Sequence, residues 1–453
     1  MENGEKWSGR TGFILATMGS AVGIGSIWKF PYEVGSNGGG AFVLCYLAGL
    51  VLVVAPLLLA EFAIGRRGRG DASTSIANLA RPLAASPRWV VAGWLGMVTG
   101  FLILSFYAVI GGWALGYAMD TAFNGLAGGD AAMARARFDA FLSSPFSLGG
   151  WHAAFMLATV FIVARGVAKG IEAASMILMP VLAVLMIALA AYSIIEGDAL
   201  RTLRYLFVFD PATFNARAAL DALGLGFFSI GVGLGLMITY GAYSGKDIRL
   251  GEVALISVIG DTAISILAGF AVFPVVFAHG LDPASGPGLV FVTLPIAFAQ
   301  MPFGTFAAIA FFVLLVVAAL ASAVSLLELV VSFGVGRLGM RRIHASWAAG
   351  AGCFLAGIPT VLSFNLLADW HPLSGIAAFE RWTFFDMLDN LTSNVLLPVG
   401  GLLIALFAGW VLPMTTISEE LNLGRRGRMI LHGLLRYVVP TGIGAVTLLP
   451  LFL

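Results

Sequence analysis

Two glycine-rich stretches interrupt otherwise apolar segments of this 453-residue sequence. "MGSAVGIGSIWKFP" at 18–31 and "FFSIGVGLGLMITYGAY" at 227–243 place glycines and serines where a membrane helix would have its middle. Unpaired backbone groups are costly in lipid, so such breaks persist only where protein or a polar cavity satisfies them. Free amides at a break attract anionic groups, and free carbonyls coordinate cations. The two stretches therefore predict a binding site made of main-chain groups, whereas close helix packing is the alternative for either stretch alone.

The composition is that of a polytopic membrane protein, because 59% of the residues are hydrophobic and 11% are charged. A formal net charge of +1 gives no basic surplus for nucleic acid, so no nucleic-acid partner is expected. Cys45 and Cys353 fall in apolar stretches and are interpreted as small buried hydrophobes. None of the five histidines forms a paired metal motif and no nucleophile elbow is present, so the sequence does not indicate an enzyme.

Apolar runs long enough to cross a bilayer predict an all-α fold with eleven transmembrane helices. They are placed at 12–36, 40–65, 89–119, 150–167, 173–195, 217–244, 252–278, 304–335, 345–362, 384–412 and 429–452. No signal peptide is evident, so the first run is expected to remain as a spanning helix. Arginines such as Arg66, Arg67 and Arg342 concentrate in connections on one side, which predicts a cytoplasmic N-terminus and an extracytoplasmic C-terminus.

The interrupted first and sixth helices occupy corresponding places in two five-helix sets. An odd number of helices in each set makes the sets inverted relative to the membrane. This pattern is typical of inverted-repeat transporters, whose broken helices meet at the midplane. We expect a single transporter domain over 1–453, with repeats at 12–195 and 217–412 and an eleventh helix at 429–452.

Four ordered blocks carry a family resemblance that covers nearly the whole chain. They are "AVGIGSIWKFP" at 21–31 followed by "NGGGAF" at 37–42, "PLLLAEFAIGR" at 56–66, "DTAISILAGFAVFP" at 261–274 and "GPGLVFVTLP" at 286–295. With these blocks the sequence resembles the bacterial branch of the neurotransmitter:sodium symporter family. The resemblance implies a bacterial leucine transporter-like fold in the bacterial inner membrane. It also implies sodium-coupled uptake of an amino acid by alternating access.

The resemblance assigns groups to the amino-acid substrate. Those implied for its carboxylate and amino group are Ala21, Ile24, Gly25, Tyr107, Phe228 and Ser229. Phe228 would also close over the substrate, and an interfacial tyrosine is the alternative interpretation of Tyr107. The implied side-chain pocket consists of Ser20, Ile103, Gly231, Leu234, Ser322 and Leu326. This pocket is apolar and uncharged, so the predicted substrate is a neutral, hydrophobic or aromatic amino acid.

Two sodium sites are implied, and both depart from the family pattern. One comprises Gly19, Val22, Ala318 and Ser322, and the other comprises Ala21, Ser26, Ser229 and Asp261. In the first site, Ala321 stands where a second hydroxyl is expected, so one oxygen ligand is missing. Three alternatives remain open there. The site could bind sodium more weakly, recruit a water molecule as the missing ligand, or not bind sodium at all.

Serine and aspartate stand at 26 and 261 where the family has asparagine. Asp261 would supply the negative charge for which animal members bind chloride, so chloride is not expected to be required. A buried acid can also carry a proton, which keeps proton coupling open as the alternative to sodium.

The remaining implied assignments concern gating and support of the broken helices. Lys29 and Asp389 match an extracellular gate pair, which lysine would make looser because it lacks the fork of arginine. Glu61 would hold loose amides of the sixth helix in a structural role.

At the cytoplasmic end, Lys6 has no acid opposite it near Gly336, so no ion pair is expected there. Packing of Trp7 is expected to form the inner gate instead. Glu328 is expected to have an internal partner that the sequence does not name.

The predicted partners of the protein are a small-molecule amino acid and the lipid bilayer, with the oligomeric state open. A channel and a non-transporting substrate sensor are the alternatives of another class.

Overall fold

The computed structural model describes residues 5–126, 130–211, 214–282 and 288–449, and secondary structure in these ranges is helical, without strands. Within these ranges, nine helices are long and apolar enough to cross a membrane. They are α3 (Gly40–Gly68), α5 (Pro87–Asn124), α7 (Pro145–Ala164), α8 (Val167–Glu196), α12 (Leu250–Ala278), α14 (Gly304–Leu338), α15 (Arg342–Leu362), α16 (Phe384–Val411) and α18 (Arg425–Leu448). Helices satisfy their own backbone groups, which is why they span lipid.

The first predicted span is broken where its glycines predict a break. Helix α1 (Arg10–Ala21) and helix α2 (Gly25–Ser36) meet at an angle of 51° and together form a tenth candidate span. Val22 follows α1 with an extended backbone, at φ −80° and ψ 92°, so the helical hydrogen-bond ladder stops there. The amides that follow are consequently available to other partners.

The sixth predicted span consists of α10 (Ala216–Ile230) and α11 (Leu236–Ala242). Between them, Gly231, Gly233 and Gly235 have φ values of 70°, 91° and 70°. Only glycine adopts such angles without steric cost, so the residue type determines where this helix unwinds. With this broken pair, each of the eleven predicted segments corresponds to helical structure.

Five shorter helices were not predicted, because they lie in connections and are too short or too polar to give a spanning signal. They are α4 (Ala72–Ala80), α6 (Ala131–Ser143), α9 (Ala199–Phe207), α13 (Leu289–Ala299) and α17 (Met414–Glu420).

Helix α11 is held tightly against α3 through glycines on both helices. A Cβ atom on Gly65 would overlap the Ile238 carbonyl, and one on Gly241 would overlap the backbone of Phe62. This close approach fixes α11, the second half of the broken sixth span, beside α3. Helix α3 also carries Glu61. The all-α architecture of the prediction is confirmed, while the boundaries of the two repeats stay predictions.

Candidate functional site: a midplane cavity between the broken helices

The two breaks face one cavity of about 50 Å³. Its lining comprises Ser20, Ala21, Gly23, Gly25, Ile103, Tyr107, Phe228, Ser229, Gly231, Leu234, Leu236, Ser322, Leu326 and Leu397. The structure thus brings together the predicted substrate residues, with Ile24 contributing through its amide. No side chain in this lining carries a formal charge. The cavity therefore suits a small molecule with an apolar body.

Tyr107, on α5, points its hydroxyl at the first break. The Ile24 amide donates to the Tyr107 hydroxyl oxygen at 3.2 Å, and Tyr107 is 5% exposed. Gly23 keeps this region open, since a Cβ atom there would lie 2.5 Å from the Ser322 hydroxyl oxygen and 2.9 Å from that of Tyr107. A hydroxyl and a helix-break amide converge here, an arrangement that can hold a carboxylate.

Sequence reasoning missed Gly23, Leu236 and Leu397 among the lining residues. Gly23 lies inside the first glycine-rich stretch and could have been chosen for its missing side chain. Leu397 lies within α16, where one leucine among many gives no signal. Leu236 begins α11 directly after the second break.

A cluster of oxygen atoms surrounds Asp261 beside the cavity. Asp261 Oδ1 accepts hydrogen bonds from the Ser26 hydroxyl at 2.6 Å and the Ser229 hydroxyl at 2.9 Å. Tyr46 donates its hydroxyl to Asp261 Oδ2 at 2.9 Å. Ser26 and Asp261 are fully buried, so their hydrogen bonds are shielded from solvent. Carboxylate and hydroxyl oxygens are the donors that hard cations prefer.

The predicted cation residues of this cluster thus meet in space, and Tyr46 is an addition that the sequence did not indicate. Tyr46 lies in an apolar run where a tyrosine is more often a packing residue. Ala21 and Ser229 also line the main cavity, so the cluster and the cavity share a wall.

The other predicted cation site is poorer in side-chain oxygens. The Ser322 hydroxyl is 3.2 Å from the Gly19 carbonyl oxygen and 3.3 Å from that of Ser20. Val22 and Ala318 are both within one buried apolar cluster. A Cβ atom at Gly19 would lie 3.3 Å from the methyl group of Ala321, so Ala321 packs against this turn of α1. The structure supplies backbone carbonyls and one hydroxyl at this point.

Glu61 lies behind the second break and is fully buried. Its Oε1 atom accepts the Gly233 amide at 2.6 Å. The first-turn amides of α11 at Met237 and Ile238 face the same carboxyl group. Glu61 therefore occupies the position expected for a residue that satisfies the loose amides of the break.

We call the end of the molecule that carries Lys29 and Asp389 the outer end. Within the described ranges, neither residue of this predicted gate pair makes a direct salt bridge, and the looser gate expected for lysine stays a prediction. The Lys29 ammonium instead lies 4.5 Å from the Phe228 ring centroid, and Asp389 accepts the Ser393 hydroxyl at 3.1 Å. The lysine ammonium is a compact charge that interacts favourably with the face of the Phe228 ring. Unlike an arginine guanidinium, it has no paired N–H groups that would fix it on the Asp389 carboxylate.

We call the opposite end, where Trp7 lies, the inner end. Trp7 is 6% exposed, its indole Nε1 donates to the Tyr240 carbonyl at 3.0 Å, and its ring packs on Phe13 and Tyr240. Packing by Trp7 was expected here. The Trp7 side chain packs between α1 and α11.

The inner end also holds a buried ion pair that the sequence did not reveal. Arg342 pairs with fully buried Glu328 and lies 3.4 Å from Glu5 Oε1. Tyr243 donates its hydroxyl to Glu328 Oε1 at 2.6 Å. Sequence reasoning placed Arg342 in a connection and so missed it as the partner of Glu328.

Comparisons with known proteins agree with this geometry. The sequence profile of the Sodium:neurotransmitter symporter family matches residues 4–131 and 147–366. The chain belongs to this family. This confirms the predicted family resemblance, the all-α transporter fold and the multi-pass membrane character. The family is one of transporters and not of enzymes, as predicted.

Two curated relatives span almost the same length as this symporter-family chain. A protein named as an uncharacterized sodium-dependent transporter, YhdH of Bacillus subtilis, is 39% identical over 443 residues, which cover 97% of this chain and 96% of the relative. MJ1319 of Methanocaldococcus jannaschii, named in the same way, is 32% identical over 435 residues, or 92% and 84% of the two chains.

A solved structure gives the same fold. The crystal structure of MhsT in complex with L-phenylalanine superposes with a TM-score of 0.90 at 44% sequence identity. The match covers 98% of this chain and 99% of MhsT.

Proposed function

We propose that this protein is a symporter that couples inward sodium movement to uptake of a neutral, hydrophobic or aromatic amino acid. The observation that carries the proposal is the midplane cavity, in which Tyr107 and the Ile24 amide converge on one side and an uncharged apolar lining surrounds the rest. MhsT, which is similar over nearly its whole length, was crystallised with L-phenylalanine.

In the proposed binding mode, the substrate carboxylate lies between Tyr107 and the amides of Ile24 and Gly25. The amino group faces the Ser229 hydroxyl and the main-chain carbonyls of Ala21 and Phe228. The carboxylate and the amino group are common to all amino acids. The apolar part of the cavity therefore determines which substrate side chains are accepted. A charged side chain would lose its hydration there without gaining a partner, which disfavours acidic and basic substrates.

The proposed coupling rests on residues that face both substrate and cation. Ser229 lines the cavity and also donates to Asp261, while Ala21 lies on the same wall. A sodium ion held by Ser26, Ser229, Asp261 and the Ala21 carbonyl would fix the shape of the substrate site. Binding of either partner then favours binding of the other, as reciprocal coupling requires.

Alternating access would use the two ends of the cavity. Phe228 is only partly buried under Lys29 at the outer end, whereas Trp7 and the Glu328–Arg342 pair close the inner end. Release of the substrate would need the inner contacts to separate while Phe228 closes over the site. The proposed location is the bacterial inner membrane, with the N-terminus in the cytoplasm.

Proton coupling is the second candidate, and the carboxylate at 261 favours it. Asp261 accepts three hydroxyl groups, from Ser26, Ser229 and Tyr46. If sodium leaves this cluster, a proton on Asp261 can take over the role of the cation. The protein would then combine sodium import with proton export.

The test is uptake of a panel of neutral, acidic and basic amino acids by purified protein in proteoliposomes, with sodium, chloride and the pH gradient varied independently. The expected result is saturable uptake of hydrophobic or aromatic amino acids that needs a sodium gradient and no chloride. Sodium-driven uptake that an acidic vesicle interior accelerates would favour the second candidate, and uptake indifferent to sodium would overturn sodium symport. Ohmic current without saturable uptake would instead indicate a channel, and binding without uptake a sensor.

A further inference from the structure

Arg436 is a charged residue on a membrane-spanning helix, and the described residues provide no acid for it. It lies near the middle of α18, and no described residue forms an ion pair with it. Its Nε–H is buried and has no hydrogen-bond partner in the described part of the chain. Other buried or half-buried arginines of this protein, such as Arg66 and Arg342, lie on carboxylates. An unpaired cation on a membrane-spanning helix favours an anionic partner from outside the protein.

Aromatic rings hold the Arg436 guanidinium at the lipid-facing surface. Its Cζ atom lies 4.2 Å from the ring centroid of Trp410 and 5.7 Å from that of Tyr437. Both aromatic side chains are mostly exposed, at 53% and 59%. Because the protein covers these rings so little, their outer faces are available to lipid.

The depth of Arg436 follows from Trp410, which is the last residue but one of α16. The Trp410 indole donates to the Arg436 carbonyl at 3.0 Å. Tryptophans at the ends of spanning helices lie in the headgroup layer. The guanidinium therefore reaches the level at which lipid phosphates lie, although Arg436 is far from either end of its own helix.

An open groove begins beside these rings and runs along α18. It has a volume of about 570 Å³ and is lined by apolar and small side chains of three helices, including Ala48, Leu52, Leu223, Tyr437, Thr441 and Ala445. Tyr437 both lines this groove and borders the guanidinium, so the groove and the charge form one continuous surface.

We propose that Arg436 and this groove bind one anionic phospholipid of the bilayer, with its phosphate on the guanidinium and an acyl chain in the groove. Charge complementarity selects the lipid class: the arginine fork binds a phosphate in a bidentate manner, and an anionic lipid has no cationic headgroup that neutralises this phosphate. Basic positions between transmembrane helices are general sites for anionic headgroups. The acyl chain fits a groove whose described walls are apolar apart from Thr441, the Tyr437 hydroxyl and the Cys45 thiol.

The test uses the purified full-length protein, delipidated in detergent and titrated with phosphatidylglycerol or with phosphatidylcholine of the same acyl chains, under native mass spectrometry. We expect one phosphatidylglycerol to bind about tenfold more tightly than phosphatidylcholine, as a charge-assisted contact predicts. Arg436→Gln should remove this preference, and Arg436→Lys should keep part of it. Ala48→Phe, which narrows the groove without changing the charge, should weaken binding of both lipids.

Arg165→Gln is the matched control, since Arg165 lies 4.0 Å from the ring of exposed Phe161 but does not line the groove. It should leave lipid binding unchanged. The proposal is overturned if Arg165→Gln and Arg436→Gln reduce binding equally, or if phosphatidylcholine binds as tightly as phosphatidylglycerol. If Arg436→Gln gives no folded protein, unchanged lipid binding by both Arg436→Lys and Ala48→Phe would overturn it instead.

Discussion

The hydroxyl of Ser26 lies 2.6 Å from Oδ1 of Asp261, although 235 residues separate the two along the chain. Both residues are fully buried. Ser26 belongs to α2, the outer half of the first broken span, and Asp261 to α12. An ionised carboxylate in this position would balance the charge of a bound cation without an external anion.

We therefore predict that Asp261→Asn makes transport dependent on chloride. Without the carboxylate, the cation cluster lacks its negative charge, and sodium affinity depends on the charge of its ligands. Uptake by proteoliposomes without chloride should fall about tenfold, and added chloride should restore part of it. Initial rates over a range of sodium concentrations, with and without chloride, measure this effect.

Ser257→Ala is the control for Asp261→Asn. Ser257 is buried one helical turn away on α12, and its hydroxyl has no partner among the described residues. Its removal should leave chloride dependence unchanged. Full activity of Asp261→Asn without chloride, with unchanged proton coupling, would show that Asp261 has no charge-balancing role.

Removing the Tyr107 hydroxyl should weaken substrate binding. Tyr107→Phe loses the oxygen that accepts the Ile24 amide, and the substrate carboxylate would lose a donor in a buried site. A lost buried hydrogen bond costs roughly 1–2 kcal/mol, so the Kd for the substrate should rise about 5- to 30-fold. Equilibrium binding of a radiolabelled amino acid measures this directly.

Tyr117→Phe controls for the general effect of changing a tyrosine on α5. The Tyr117 hydroxyl is buried without a hydrogen-bond partner in the described ranges, so its loss should not change the Kd. Equal effects of the two substitutions would mean that Tyr107 acts through packing alone.

The broken helices could be predicted from the sequence because glycine leaves a local signal. Gly231, Gly233 and Gly235 adopt positive φ angles, and only glycine does so at low cost. Apolar length likewise placed the spanning helices, since bilayer thickness fixes how long they must be. These features depend on residues that are close together in the chain.

Contacts between distant segments could not be predicted in this way. Tyr46 donates to Asp261 and Arg342 pairs with Glu328, but each pairing is decided by how whole helices pack. Lys29 shows the same limit, because its position over Phe228 depends on the side chain's geometry in space rather than on its place in a motif. A single sequence specifies the residue types at such sites without specifying which of them meet.

The size of the side chain at 234 should set the upper limit on substrate size. Leu234 lines the apolar part of the cavity, so Leu234→Phe would fill space that a large substrate needs. We expect affinity for tryptophan to fall about tenfold while affinity for leucine changes little, as overfilled pockets reject larger ligands. Competition between radiolabelled leucine and unlabelled tryptophan measures the ratio.

Leu355→Phe is the control for size at 234, because Leu355 is 62% exposed on α15 and lies outside the cavity. It should leave the tryptophan-to-leucine ratio unchanged. A parallel loss of both substrates in Leu234→Phe would indicate a general disturbance of the site instead of a size limit.

Breaking the inner ion pair on one side should cost more than removing both partners. Arg342→Met leaves Glu328 as a buried, unpaired acid, which costs about 3 kcal/mol in comparable proteins. The double substitution of Arg342→Met and Glu328→Met removes the stranded charge, so most of the stability should return. Thermal unfolding of the four proteins of this double-mutant cycle, in one detergent, measures the coupling.

The surface pair between Arg249 and Glu252 provides the comparison for this cycle. Its side chains are 75% and 35% exposed, so solvent screens their attraction and Arg249→Met should not shift the melting temperature measurably. If Arg342→Met were equally silent, the inner pair would not contribute to closure at the Trp7 end. A large loss in Arg342→Met with recovery in the double variant would establish that the loss comes from leaving Glu328 buried without its partner.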